Sequence, residues 1–264
     1  MKQRVITGAI AGSFFLTILF IGSYWFSGMI ILLALIGYHE FIKLSGLKNA
    51  LTYFTGLISL LFLVIPWHSF SSYDGISFQI VVWISLFLLL TITVVSKNEI
   101  TIDKVALIFA GIVYLGYGFH YIINTRLLDP HGLFWTLLIL VCLWMTDSGA
   151  YFTGMLVGKH PLWPSISPNK TIEGAIGGIL FSIITALCFY FYASEWLSFG
   201  RALLLAVVIA LIGQVGDLLQ SAYKRVKGIK DTGSILPGHG GVLDRVDSWL
   251  IVFPFVHLFS LIPQ

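Results

Sequence analysis

The sequence predicts an all-α, polytopic integral membrane protein with about nine transmembrane helices and a cytoplasmic N-terminus. Three observations carry that prediction. The 264 residues are 58% hydrophobic and 10% charged, with a mean hydropathy of +0.94, whereas a soluble domain is nearer to about a quarter charged. Apolar runs of about 18 residues or more recur along the whole chain, each long enough to cross a bilayer as a helix. Lys and Arg fall almost entirely on one side of the spans those runs define, which is the asymmetry that sets orientation. Period-two alternation is missing, so a β-barrel is excluded.

In order, the spans are 4–23, 25–44, 51–67, 77–96, 104–123, 132–157, 174–194, 201–220 and 248–263. The first follows the basic start "MKQR" and has no small-residue cleavage site, so it reads as a retained span and not as a removed signal. The sixth is long enough to continue past the lipid boundary. Trp25, Trp67, Trp196 and Trp249 sit at span ends, where amphipathic rings favour the interface. With the N-terminus in the cytoplasm, thirteen of the 15 Lys and Arg residues face that side, and only Arg126 and Arg201 do not. The chain divides into 1–131, five spans nearly bare of polar sequence, and 132–264, four spans carrying the cytoplasmic loops 158–173 and 221–247. No internal repeat is evident. Cys142 and Cys188 both lie inside apolar runs and read as small core residues. No CxxC pair is present.

The polar chemistry is concentrated. Ser221–Ser248, "SAYKRVKGIKDTGSILPGHGGVLDRVDS", holds eight of the chain's 27 charged residues. Acidic residues in or beside spans matter most, because burying charge in lipid is costly. Asp217 lies near the cytoplasmic end of span eight and Asp147 in the cytoplasmic half of span six. Asp244 and Asp247, three apart and so on one helical face, flank the start of span nine. All four are expected at one depth on one side. Clustered carboxylates repel unless a cation sits among them, and a hard ion such as Mg²⁺ takes oxygen ligands, often one or two carboxylates plus substrate phosphates. Singly, Asp244 or Asp247 could cap span nine and Asp217 could pair with a lysine.

Lys224, Arg225, Lys227 and Lys230 are bunched at the same mouth. They suit either an ordinary flank touching anionic lipid or a phosphate grip, and the adjacent "PGHGG" (Pro237–Gly241) favours the grip, since glycines let backbone N–H groups approach an anion. "SISPNKTIEG" (Ser165–Gly174) offers Ser167, Asn169, Lys170, Thr171 and Glu173 before span seven. It suits either a helix start, with Ser or Asn as cap, or an anion site. "GMLVGKH" (Gly154–His160) is not a P-loop: it is one residue short and has no hydroxyl after its lysine. His39, Glu40 and His120 are weaker signals that read as interfacial or core residues. Gly174, Gly177 and Gly178 read as a close helix-packing surface.

Ser221–Asp247 resembles the signature of the phosphatidate cytidylyltransferases, S-x-x-K-R-x₄-K-D-x-G-x₂-L-P-G-H-G-G-x-x-D-R-x-D, at every fixed position. "SPNKTIEG", "DSGAYFTG" and "GQVGDLLQS" resemble the family's secondary motifs in the expected order. The resemblance covers residues 140–250 well; the first five spans match only as generic membrane helices. It implies an enzyme that joins CTP to phosphatidic acid, releasing pyrophosphate and forming CDP-diacylglycerol at the cytoplasmic face of a bacterial inner membrane. It implies Mg²⁺, with a monovalent cation such as K⁺ sharing the site. It places Asp217 and Asp244 first among metal ligands, then Asp147 and Asp247. It assigns Asp217, Asp244, Lys224, Arg225, Lys230 and His239 to catalysis, and Ser167, Lys170, Thr171 and Arg245 to the phosphates or nucleotide. Homodimerisation is a family-level expectation, and no nucleic-acid partner is implied. The rival readings are an ion-coupled transporter or another lipid-phosphate transferase. A transporter favours midplane sites and paired repeats. A CDP-alcohol phosphatidyltransferase would carry D-x₂-D-G-x₂-A-R, which is absent.

Overall fold

The computed structural model describes residues 2–67, 77–233 and 240–263, with side chains from residue 7 onward. The described residues form nine α-helices and one short hairpin. The helices are α1 (Lys2–Ile21), α2 (Ser23–Ser45), α3 (Ala50–Val64), α4 (Phe78–Val95), α5 (Ile102–Leu127), α6 (Gly132–Val157), α7 (Ile172–Tyr192), α8 (Phe199–Val226) and α9 (Leu243–Leu258). Six of them, α2 and α4 to α8, are long and apolar enough to cross a membrane. Thr7–Ile21 and Ala50–Val64 are shorter apolar helices. The protein is an all-α membrane protein apart from β1 (Pro161–Trp163) and β2 (Ser167–Thr171), which pair antiparallel.

Two compact units divide the chain. The first comprises Met1–Leu127 and Asp231–Arg245, the second Leu128–Lys230 and Val246–Gln264. In the first unit, close approach is made at glycines. Gly111 takes the Phe41 ring, and a Cβ on Gly116 would stand 2.8 Å from the Leu63 Cβ. The buried Tyr38 hydroxyl donates to the Tyr53 carbonyl at 2.9 Å, joining α2 to α3. Gly22 sits at φ +69° between α1 and α2, where a side chain is disfavoured. The Arg126 guanidinium lies over it and donates from Nε to the Leu19 carbonyl at 2.9 Å.

In the second unit, Gly149, Gly177 and Gly178 let α6 and α7 pack closely; a Cβ on Gly178 would meet the Thr146 carbonyl at 2.8 Å. Ser182 Oγ donates to the Ala206 carbonyl at 3.0 Å and ties α7 to α8. Gly216 brings α8 against Ser248 of α9.

Three expectations change. Cys188 is exposed on α7 and is not a core residue, although Cys142 is buried. An apolar helix in a bilayer turns some small residues to lipid, so apolar surroundings in sequence do not imply a packed interior. Residues 158–173 are not simply a loop, because they contain the hairpin. Helix α8 runs on to Val226 and takes Lys224 and Arg225 into its last turn, where basic side chains suit the helix dipole.

Candidate active site

Helices α6 and α8 and the hairpin strand β2 frame a cavity of about 490 Å³ in the second unit. Asp147 reaches it from α6, Asp217 and Gln214 from α8, and Asn169, Lys170 and Thr171 from β2. Lys170 Nζ lies 2.5 Å from Asp217 Oδ2, both side chains being about a third exposed or less. Gln214 Nε2 donates to the Ala175 carbonyl at 3.3 Å, which holds its amide at the wall.

The hairpin is what carries Lys170 to that wall, and it is fastened at both ends. Glu173, in the first turn of α7, accepts the backbone N–H groups of Lys159 and His160 on Oε2 at 3.1 and 3.2 Å. Its Oε1 meets His160 Nδ1 at 2.5 Å. Arg225 Nε, at the end of α8, donates to the Ile166 carbonyl at 3.1 Å in the hairpin turn. Thr171 caps α7 by accepting from Gly174 N at 3.1 Å. The cap of this helix is therefore Thr171, and the Ser or Asn expected there does not serve. A hydroxyl one residue before the first helical turn has the reach to its N3 amide that Ser167 and Asn169 lack.

Asp147, Asp217 and Asp247 interact electrostatically. Asp217 repels both of the others, Lys170 attracts Asp147 and Lys224 attracts Asp247. Asp247 precedes the apolar stretch 248–263. Its own burial first, then the Asp217 charge, push its carboxyl up to about 7, against the Ser248 N–H, which donates to its Oδ1 at 2.7 Å.

Asp244 belongs to the first unit, in the opening turn of α9. Its Oδ2 accepts from Thr232 N at 2.8 Å, Thr232 Oγ1 at 3.0 Å and Gly241 N at 3.0 Å. Gly240, at φ +82°, leaves room for that oxygen; a Cβ there would stand 2.7 Å from it. Arg245 is exposed in the same turn, and Lys230 is exposed beyond the end of α8. Ser167 opens β2 opposite Trp163 and is not among the cavity's lining residues. His239 lies outside the described residues. Of the sites expected from sequence, then, the cavity gathers Asp147, Asn169, Asp217, Lys170 and Thr171, with Asp247 coupled by charge to Asp217 and Asp147, and Lys224 to Asp247. Gln214 is not among the residues singled out by sequence, although the motif "GQVGDLLQS" contains it. Glu40, an interfacial or core residue by sequence, is buried and accepts from backbone N–H groups.

The donor set suits a hard divalent ion. It is all oxygen, it is mutually repelling, and a cation would relieve the penalty that Asp247 carries. Among the described residues no three His, Cys, Asp or Glu side chains stand in metal-binding reach.

Fold and cavity define a polytopic helical membrane protein with an acid–lysine pocket held by a hairpin. The chain belongs to the Cytidylyltransferase family, whose profile it matches over residues 2–262. It is 42% identical over 261 residues to the phosphatidate cytidylyltransferase of Bacillus subtilis (strain 168), covering 97% of this chain and 96% of that one. It is 41% identical over 263 residues to the phosphatidate cytidylyltransferase of Staphylococcus haemolyticus (strain JCSC1435), covering 99% of each chain. The enzyme of that name from Staphylococcus aureus (strain COL) is 38% identical over 264 residues.

Proposed function

We propose that this chain is a CTP:phosphatidate cytidylyltransferase, a nucleotidyltransferase of phospholipid biosynthesis. A phosphatidate oxygen attacks the α-phosphorus of CTP, the new P–O bond forms as the α–β bond breaks, and pyrophosphate leaves with the electron pair. CDP-diacylglycerol remains in the lipid. The observation that carries the reading is the Lys170–Asp217 pair in a cavity of ligand-binding size, in a chain of this family.

Both reactants are anions and the nucleophile is already ionised, so alignment and positive charge are needed and a general base is not. Lys170, presented by the hairpin and oriented by Asp217, supplies charge at the cavity wall. Lys224, which attracts Asp247, and Arg225, which braces the hairpin, add positive charge in the last turn of α8. Asp217, with Asp147 or Asp247, would hold Mg²⁺. Once bound, the ion would add charge neutralisation at the phosphates. On the strength of the signature alone, the proposal extends to Ser167, Lys230, His239, Asp244 and Arg245, to a monovalent cation sharing the site, and to a homodimer. The count of basic residues on either side of the spans supports a site facing the cytoplasm from a bacterial inner membrane.

The test is purified protein in lipid vesicles with phosphatidate, Mg²⁺ and CTP labelled at the α-phosphate. Label extracted with the lipid is the expected result. Label that moves only with vesicle volume would overturn the reading in favour of transport.

A further inference from the structure

Glu40 is buried in α2, 3% exposed, and it binds chain about two hundred residues away. Oε1 accepts from the Val242 N–H at 2.9 Å. Oε2 accepts from the Leu243 N–H at 3.0 Å and faces Thr232 Oγ1 at 3.3 Å. Two signature glycines are shaped to it. A Cβ on Gly241 would stand 2.5 Å from Oε2 and 2.6 Å from Oε1, and one on Gly233 would stand 2.9 Å from the Glu40 Cδ. A buried carboxylate is costly unless it is fully bonded. Here two backbone donors at the start of α9 and the positive end of that helix meet it. Among the described residues no Lys or Arg pairs with it. The Thr232 hydroxyl, with one proton to give, stands between Glu40 Oε2 and Asp244 Oδ2.

We infer that Glu40 is a positioning residue for the transferase reaction, resting on the function proposed above. It fixes residues 232–233 and 241–243, and so sets where α9 begins and how Asp244 leaves it. It acts through Asp244 and touches neither substrate. Both carboxylate oxygens are needed as acceptors, so a glutamine, which turns an N–H₂ toward one set of donors, cannot replace it. An aspartate keeps the charge and both acceptors on a shorter stem.

The test uses the full chain in nanodiscs, with Glu40→Gln, Glu40→Asp, Thr232→Val and the double variant Glu40→Gln/Thr232→Val. Two readouts are taken: hydrogen exchange of peptides spanning 240–247, and kcat with KM for CTP and for phosphatidate. For Glu40→Gln, exchange at Val242 and Leu243 should be about tenfold faster while α6 to α8 exchange as in wild type. Its kcat should fall about tenfold or more, the cost of leaving buried donors unmet, with KM for phosphatidate nearly unchanged. Glu40→Asp should recover part of that loss. The double variant should lose less than the product of the two single losses, because the Thr232 hydroxyl stands between Glu40 Oε2 and Asp244 Oδ2 and couples the two sites. Wild-type kcat in Glu40→Gln, faster exchange in every helix, or losses that multiply in the double variant would each overturn the inference. A wild type without transferase activity would overturn the functional reading, and Glu40's relevance to catalysis with it. An active wild type beside an indifferent Glu40→Gln overturns Glu40's role alone.

Discussion

Replacing Lys170 by Met keeps the aliphatic stem and removes the charge that faces Asp217. The pair stands at 2.5 Å with side chains 29% and 33% exposed, so solvent still screens it, and holding the lysine in one rotamer and desolvating both groups offsets most of the attraction. The net contribution to folding is about 1 kcal/mol, the upper end for solvent-screened pairs. A shift of about 2–4 °C in the melting temperature is expected. Catalysis should suffer more. If Lys170 grips a phosphate, Lys170→Met loses a charge-assisted hydrogen bond of about 1.5–3 kcal/mol, which is about ten- to 150-fold in kcat/KM. The assay is incorporation of α-labelled CTP into lipid, with a thermal melt on the same preparation. A variant that melts as expected but turns over within about threefold of wild type would refute the assignment of Lys170 to substrate. A melting loss of about 10 °C or more would show that the pair is mainly structural.

Three further outcomes are expected. Asp217→Asn releases Lys170 and removes a candidate cation ligand; turnover should drop about 10²- to 10³-fold with the melting temperature nearly retained, and a normal rate would remove Asp217 from the site. Gly178→Val drives a side chain into the Thr146 carbonyl; melting in detergent should register a loss of about 1–3 kcal/mol, and an unchanged melt would refute the close α6–α7 contact. The third concerns pH. Asp247, raised to about 7, holds its proton in the folded chain after the unfolded chain has lost it. Stability in chelator should therefore fall as pH rises from the ordinary carboxylate range, about 4, through 7. Stabilisation by added Mg²⁺ should grow over the same interval, because the ion needs the anion. Melts at pH 5.5 to 8, with and without Mg²⁺, check both slopes, and a flat Mg²⁺ effect would separate Asp247 from the ion.

The helices were legible because lipid simplifies the signal. A run such as 78–95 need only be apolar and long enough, and its helix follows from satisfying the backbone. The hairpin was not legible. Its strands are three and five residues long and hold Pro161 and Pro168, a composition that reads as loop. It is specified from outside, by Glu173 on the backbone N–H groups of Lys159 and His160 and by Arg225 on the Ile166 carbonyl. Asp147 and Asp217 were legible as candidates, since an acid within an apolar run demands a reason. That Lys170 answers Asp217 was not, because the pairing depends on where a hairpin places one side chain.

Glu40 marks the sharper limit. Its partners are mainly backbone amides, and every residue but proline has one, so nothing in the letters at 242 and 243 announces them. The sign is indirect: glycine at both 233 and 241, where a Cβ would occupy the carboxylate's place. Read by themselves, the signature glycines invite a phosphate, since bare backbone is what an anion needs. At Gly233 and Gly241 the anion that occupies this space is the protein's own. The carboxylate from α2 bonds Thr232, Val242 and Leu243, which belong to the first compact unit, although by sequence they lie among the last four spans. A signature glycine can thus be required because it admits another protein group, and its identity alone does not separate that role from contact with substrate. Gly240 makes the same point from the other side. Its left-handed backbone and missing Cβ accommodate Asp244 Oδ2, so substituting it would disturb the aspartate before it disturbed any ligand.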